Sequence, residues 1–362
     1  MNPQLKTIWN QLPDSTEGIL LLNEGKEDAN FFYCTGITEG MFDGSAAWIT
    51  RNCIHVFTPR LDAELAKKQL GNHISISVYG PGNGFSKLLR ERIGKPESVA
   101  YNDAVLPVKS LHFLQRLLPK TQWIPASNTF QKIRSIKTPQ EIRRIQKAIR
   151  WSEKALQNIL DQRTLKSGVR EFEAVAALEY EMRKLGSEPA FPTIFAFGKN
   201  AAQPHHPPGV KRLQPRECVL IDFGARYQKY CADISRSFVL GPPSAKQKRM
   251  YSIVEKAQSK AKTAVHEGVN ARFVHQLVEK EINATEFRNR FNHATGHSLG
   301  LEVHDGLVLS TDSFDLKKGM VFTLEPGVYV PGVGGVRIED DVEVTKNGFR
   351  QLTRETSGLQ SL

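Results

Sequence analysis

The chain has 362 residues, 40% of them hydrophobic and 24% charged, which fits a globular protein with two domain-sized cores. No apolar run approaches the roughly 20 residues of a membrane span, the opening MNPQLKTIWNQLPDSTEG has no apolar stretch behind a basic start, and the four cysteines (Cys34, Cys53, Cys218, Cys231) show no CxxC spacing, so a cytoplasmic protein with reduced thiols is expected. A net charge of +11 raises nucleic acid as a partner, but the densest basic run, Lys132 to Arg150, spreads its charges over several helix faces without an aromatic platform before Trp151, so a solvated helix is expected instead.

In chain order, GILLLN, SAAWIT and CIHVFT read as strands and PRLDAELAKKQL as a helix, which makes the first third an α/β domain. It ends near Pro125, and the expected domains are 1–132 and 133–362. The second opens with a capping box, Thr138 as N-cap, Pro139 at N1 and Glu141 at N3 of a long helix. Another helix, VREFEAVAALEYEMRKLG, closes at Gly186. Two hairpin-like segments follow, ECVLIDFGARYQKYCADISRSFVL and MVFTLEPGVYVPGVGGVRIEDDVEV, separated by the helical KQKRMYSIVEKAQSKAKTAVHEG. Helices ahead of sheet, without βαβ alternation, predict an α+β second domain. The likeness of its two hairpins points to an internal duplication.

Between the hairpins lies HATGHSLGLEVHD, with His293, His297 and His304 in one short stretch. Its alternating apolar residues read as a strand entered through a tight turn, which puts His297 and His304 on opposite faces unless Gly300 bends the chain. Within the first hairpin, a turn at Tyr227 and Gln228 sets Asp222 opposite Asp233. In the second, a turn at Gly332 sets Glu325 opposite Glu339. Like charges so placed are destabilising unless something neutralises them. Asp222, Asp233, His297, Glu325 and Glu339 together form a ligand set for two divalent ions, and an oxygen-rich set with one imidazole favours manganese, cobalt or zinc.

The segments IDFGARYQKYCADISRSF, HATGHSLGLEVHD, LEPGVYVPG and GGVRIEDDVEVT resemble the pita-bread metallopeptidases, in particular their Xaa-Pro aminopeptidase and Xaa-Pro dipeptidase (prolidase) branch. NFFYCTGI, PRLDAELA and SIKTPQEIRRIQKA extend the resemblance over the whole chain. It implies a creatinase-like α/β N-terminal domain ahead of an α+β pita-bread catalytic domain. It also implies that Asp222 binds one metal, that His297 and Glu325 bind the other, and that Asp233 and Glu339 bridge both. By the same resemblance His205, His293, His304 and Arg337 lie around the substrate. His205 and His304 would stabilise the oxyanion, and Glu325 or Glu339 would take the proton. The chain departs from the family pattern at Ser298, where glycine is usual, and at Gly306 and Leu307, where HExP is usual. Phe191, Phe195 and Phe197 are expected in the core rather than on the pocket wall.

The activity this implies is metal-dependent hydrolysis of an Xaa-Pro bond at a peptide N-terminus, by a homodimer. The alternatives are a prolidase restricted to dipeptides, a methionine aminopeptidase, a non-catalytic binding protein on the same fold, and a creatinase. The intact ligand set disfavours the last two. The N-terminal domain and VRIED disfavour the methionine enzyme.

Overall fold

The computed structural model describes residues 3–72, 74–81 and 84–362. Contacts divide the chain into two compact units, Met1–Arg134 and Ser135–Leu362. The first holds helices α1 (Pro3–Trp9), α2 (Ala29–Thr35), α3 (Ala63–Gln69), α4 (Phe85–Ile93) and α5 (Val108–Leu117), and α6 (Ser127–Ser135) runs to its boundary. Its strands are β1 (Gly18–Asn23), β2 (Ser45–Ile49), β3 (Ile54–Pro59), β4 (Ile74–Tyr79), β5 (Ser98–Tyr101) and β6 (Gln122–Pro125), in the spatial order β4-β3-β2-β1-β5-β6. The β1–β2 and β2–β3 pairs are antiparallel, whereas β3–β4, β1–β5 and β5–β6 are parallel. All six residues of GILLLN are buried in β1, and Leu20, Leu22, Trp48, Phe57 and Val99 centre the core, as the α/β reading requires. The helix expected in PRLDAELAKKQL begins with one 3₁₀ turn, Arg60–Asp62, before α3.

The second unit opens with α7 (Pro139–Asp161) and its predicted capping box: Glu141 N–H donates to Thr138 Oγ1 at 3.3 Å and Thr138 N–H to Glu141 Oε2 at 2.8 Å. On this helix, Arg144 lies over the Tyr230 ring and Lys147 over Trp151, so part of the basic run is used in packing. After α8 (Glu171–Lys184) come β7 (Glu188–Pro189), β8 (Ile194–Phe197), β9 (Cys218–Phe223), β10 (Ala225–Tyr227), β11 (Tyr230–Cys231) and β12 (Ile234–Val239). The second half begins with α9 (Ala245–Ala264) and α10 (Ala271–Asn283). Its strands are β13 (Gly296–His297), β14 (Val308–Leu309), β15 (Val321–Leu324), β16 (Gly327–Val330), β17 (Gly334–Arg337), β18 (Asp340–Thr345) and β19 (Gly348–Gln351), and β20 (Gln360–Ser361) returns beside β12. Met250, Val254, Val274, Phe322, Val328 and Val342 centre the main core of this unit. Of the three phenylalanines expected in the core, Phe195 and Phe197 are fully buried, whereas Phe191 is only half-buried.

Helix pair followed by broken hairpin occurs twice, and the two halves match at the start of their second helices. Gly168 (φ 88°) and Gly268 (φ 87°) precede α8 and α10. Their N–H groups donate to Leu213 O and Leu316 O, and Arg170 and Asn270 form isolated bridges to Arg212 and Asp315. The duplication hinted at by the hairpins is therefore visible in backbone geometry.

Both hairpins keep one register through a break. In the second, β16 pairs β17 around Gly332 (Gly327 opposite Arg337) and β15 pairs β18 (Leu324 opposite Asp340) in the same phase, so Glu325 stands across from Glu339 in the gap between ladders, as predicted. In the first, the tip is Gln228–Lys229, both with positive φ, the two-residue pattern of a type I′ turn. The register therefore differs from expectation: Asp222 faces Ser235, and Asp233 lies two residues along on the same face, in the break opposite Gly224. Tyr227 is kept out of the turn by its edge-to-face contact with Trp151, at 4.9 Å between ring centroids. At Gly224 a Cβ would lie 1.8 Å from Ala232 O, so the close approach of the two chains at Asp233 demands glycine.

HATGHSLGLEVHD is a loop rather than a strand after His297. Ser298 N–H donates to Leu307 O at 2.7 Å and Asp305 N–H to Ser298 O at 2.8 Å, folding the segment back on itself. The fold-back is clamped by a buried ion pair, Lys137 Nζ to Asp305 Oδ2 at 3.0 Å. Gly300 permits it, since a Cβ there would sit 2.2 Å from Asp305 Oδ2. Lys137→Ala should lower unfolding free energy by about 3–5 kcal/mol, the cost of stripping one partner from a buried pair. Urea denaturation checks this, and an unchanged midpoint would show that the clamp carries no stability.

Candidate metal centre

The two hairpin breaks and the histidine loop meet at one place because their backbones bond to each other. Glu339 N–H donates to Ser235 O at 3.2 Å and Glu325 N–H to Thr295 O at 2.8 Å. These bonds replace the ladder partners that the breaks remove. They bring the side chains of Asp233, His297 and Glu339 together, with ligand atoms within 4.8 Å of one another. His297 Nε2 is 3.5 Å from both Asp233 Oδ2 and Glu325 Oε1. Its Nδ1 lies 3.4 Å from Ser298 O, and donation there leaves Nε2 as the lone-pair nitrogen facing the carboxylates.

Asp222 and Glu339 are each held by one oxygen and left bare at the other. Arg337 Nη2 contacts Asp222 Oδ2 at 2.5 Å, Ser235 Oγ donates to Glu339 Oε2 at 2.9 Å, and Arg337 Nε donates to Ser235 Oγ at 2.7 Å. Asp222 Oδ1, Asp233 Oδ1 and Glu339 Oε1 are buried and have no hydrogen-bond partner among the described residues. Buried, orphaned carboxylate oxygens converging beside an imidazole lone pair are the donor set that a hard or borderline divalent cation satisfies, so the residues fit the expected metals.

The electrostatics agree. Burial, then the charge of Glu339, drives the Asp233 carboxyl well above its ordinary range, and burial followed by Glu325 and Asp222 does the same to Glu339. Burial pushes Glu325 up to about 8, with Asp222 adding to the rise and Arg337 opposing it. His297 is held down to about 3, chiefly by burial and then by His304, so its imidazole is neutral. Behind the cluster sits a further acid, Asp341, whose Oδ2 accepts from Asp233 N–H at 3.4 Å and whose Oδ1 is another buried orphan.

The histidines expected around a substrate take distinct places. The His304 ring stands edge-on over His297, 4.2 Å between centroids, because the fold-back undoes the opposite-face parity. His205 is exposed on the loop before β9; burial holds both neighbouring imidazoles down, with Arg337 and then His205 adding at His293 and His205 adding at His304. His293 is engaged at both nitrogens, with Ala294 O and Tyr329 Oη, each at 2.8 Å. Arg337, also expected near the substrate, gives four of its five N–H donors to Asp222, Ser235, Tyr329 Oη and Pro204 O, and so braces the cluster. The departures at Ser298 and Leu307 compensate each other, since Ser298 Oγ accepts from Leu307 N–H at 3.0 Å and a proline there would have no N–H to give. Tyr329, Ser235, Asp341 and Lys137 were not singled out by sequence. All four lie inside the quoted segments, Lys137 in SIKTPQEIRRIQKA, but no residue near Lys137 in sequence marks its partner Asp305.

Sequence comparison matches residues 143–346 to metallopeptidase family M24 and residues 16–136 to the creatinase/prolidase N-terminal domain. The fold and this acid-rich centre are those of a metallopeptidase, and the chain belongs to family M24. It is 33% identical over 361 residues to the Xaa-Pro dipeptidase of Pyrococcus horikoshii, covering 98% of this chain and 97% of the other. Among solved structures it is similar to the X-Pro aminopeptidase of Thermotoga maritima (TM-score 0.89, 30% identity, 96% and 98% of the two chains). It is equally similar to the Xaa-Pro dipeptidase of Bacillus anthracis (TM-score 0.89, 30% identity, 99% of each chain).

The raised carboxyls give a pH test. Glu325 keeps its proton to about pH 8 in the metal-free fold but loses it near 4.5 when unfolded. The folded chain thus binds more protons in that window, and stability falls as pH rises through it. His293 and His297, lowered to about 3 from 6.5, act with the opposite sign, but only below about 6.5. Between pH 6.5 and 8, the melting temperature of chelated protein should therefore drop, and saturating manganese should remove the drop. A flat or rising profile in chelator would contradict a buried carboxylate cluster.

Proposed function

We propose that this chain is an Xaa-Pro dipeptidase that uses two divalent ions, manganese being the first choice. The observation that carries this reading is the end-to-end likeness to the Pyrococcus horikoshii dipeptidase, joined to an acidic centre with bare, buried carboxylate oxygens. The aminopeptidase expected from sequence yields first place to its alternative, because a relative from Pyrococcus furiosus, 41% identical over 303 residues, also carries the dipeptidase name. The aminopeptidase stays as a second reading on the strength of the Thermotoga maritima structure.

In this reading Asp222, Asp233, His297, Glu325 and Glu339 would hold the ions. When bound, the ions supply Lewis acidity toward the scissile carbonyl and the attacking water. Glu325, whose side chain is 16% exposed, takes a proton from that water and passes it to the departing proline nitrogen. His205 and His304 donate hydrogen bonds to the carbonyl oxygen as it gains charge. His293 is fixed by Tyr329 beside Glu325, its Nδ1 3.9 Å from Glu325 Oε2, and shapes the same wall. The proline nitrogen of the substrate bears no N–H, so a wall of imidazoles need offer no acceptor to it. The four cysteines are free thiols, which supports the cytoplasmic reading, and no helix among the described residues is long and apolar enough to cross a membrane. The family resemblance supports a homodimer.

Side-by-side assay of Ala-Pro and Ala-Pro-Ala, with manganese and after chelation, tests the reading. Hydrolysis of the dipeptide alone, abolished by chelator, is expected. Cleavage of the tripeptide would return the aminopeptidase to first place. Asp233→Ala should abolish manganese binding and turnover together, and a fully active variant would sink the metal assignment.

A further inference from the structure

The loop that presents His205 runs from the end of β8 through a 3₁₀ turn, Gly198–Ala202, to Gly209. Beneath it lies the carboxylate of Glu171, the first residue of α8, fully buried. It accepts four hydrogen bonds, each 2.9 Å: Phe197 N–H and Asn200 Nδ2 at Oε1, Gly209 N–H and His206 Nε2 at Oε2. The donors span the loop from the strand before it to its far end, so one carboxylate fixes its path at four points. Charge-assisted bonds inside a low-dielectric setting are the strong kind. His206, which sequence gave no role, is one of these anchors.

The duplication separates this tie from the ordinary needs of the helix start. In the second half, Ala271 takes the place of Glu171, and the helix begins equally well: Ala271 N–H donates to Phe314 O at 2.8 Å, as Glu171 N–H does to Lys211 O at 3.1 Å. There the loop bearing His304 is anchored differently, by Ser298 Oγ and by the Lys137–Asp305 pair. The carboxylate is thus surplus to helix initiation and present only in the half whose loop carries His205. Above the loop, Pro204 O accepts from Arg337 Nη1 at 3.3 Å, which links the same segment to Asp222.

We infer that Glu171, with His206, is a positioning residue that sets where His205 meets the substrate. The catalytic part of this inference rests on the dipeptidase reading; the tie itself does not. A misplacement of about 1 Å in a reacting group can cost 10²-fold in rate. Glu171→Gln, which keeps shape but turns an NH2 toward donors, should therefore lower kcat/KM for Ala-Pro by roughly 10- to 100-fold with bound manganese unchanged. In a His205→Ala background the same substitution should cost little, because the two residues act as one unit. Amide exchange should accelerate in residues 197–209 of Glu171→Gln and stay slow in β9. If Glu171→Gln does not fold, His206→Ala and His206→Gln serve in its place, the glutamine restoring the donor and the activity that alanine loses. Full additivity with His205→Ala, wild-type rates in Glu171→Gln, equal loss in both His206 variants, or unchanged exchange in the loop would each overturn the inference. A wild type inactive on Ala-Pro would overturn the dipeptidase reading instead, and the exchange comparison would still decide the tie.

Discussion

The two hairpins and the histidine loop of the second unit converge on an electrostatic conflict, the burial of several carboxylates in one place beside the guanidinium of Arg337. Arg337 and Ser235 each satisfy a single oxygen of a neighbouring acid and leave its other oxygen bare. Such a cluster cannot ionise fully by itself, which is why Asp233, Glu325 and Glu339 are pushed upward. A divalent cation in this site would remove the conflict, and because the site is assembled only by folding, its binding energy would also be folding energy. Asp340, one residue along from Glu339, shows the contrast. Burial works against its charge too, but Arg236 and Lys262 hold it below the usual carboxylate range, and it offers nothing to an ion.

The backbone creates the conflict through a device used in both hairpins. Each ladder is interrupted where an acid must leave the plane, and each interruption keeps its register, so the strands beyond resume pairing in phase. The groups freed by the interruptions bond across to other segments, Glu339 to Ser235 and Glu325 to Thr295. Ladder defects in one hairpin thereby become the joints between hairpins. Arg236 strengthens one joint from behind, its Nη1 donating to both Ser235 O and Glu339 O.

Much of this was legible in the residues. Alternation and apolar runs located β1 to β3, the capping box located α7, and the Gly332 turn fixed the phase that sets Glu325 across from Glu339. Features set by distant contacts were not legible. Tyr227 looks like a turn residue until Trp151 is seen against it; the tip lies one residue further on, which shifts each cross-strand partner by two. HATGHSLGLEVHD looks like a strand because its alternation is real, but Ser298 and the Lys137–Asp305 pair fold it into a loop. Glu171 has the local signature of an ordinary helix start, and only the loop above it gives the carboxylate meaning.

The unbroken phase of the second hairpin also bears on how such a chain can vary. Because strand side chains alternate with a period of two, a one-residue slip of one strand past the other would turn Glu339 away from Glu325 and carry the buried Val342 and Val344 off the core face with it. Adding two residues at the tip would lengthen the ladder and preserve the pair. The tip between Val330 and Gly334 can therefore change in length only in ways that leave this phase intact, a longer ladder or a wider turn, a restriction imposed by the pleat of the strands below it.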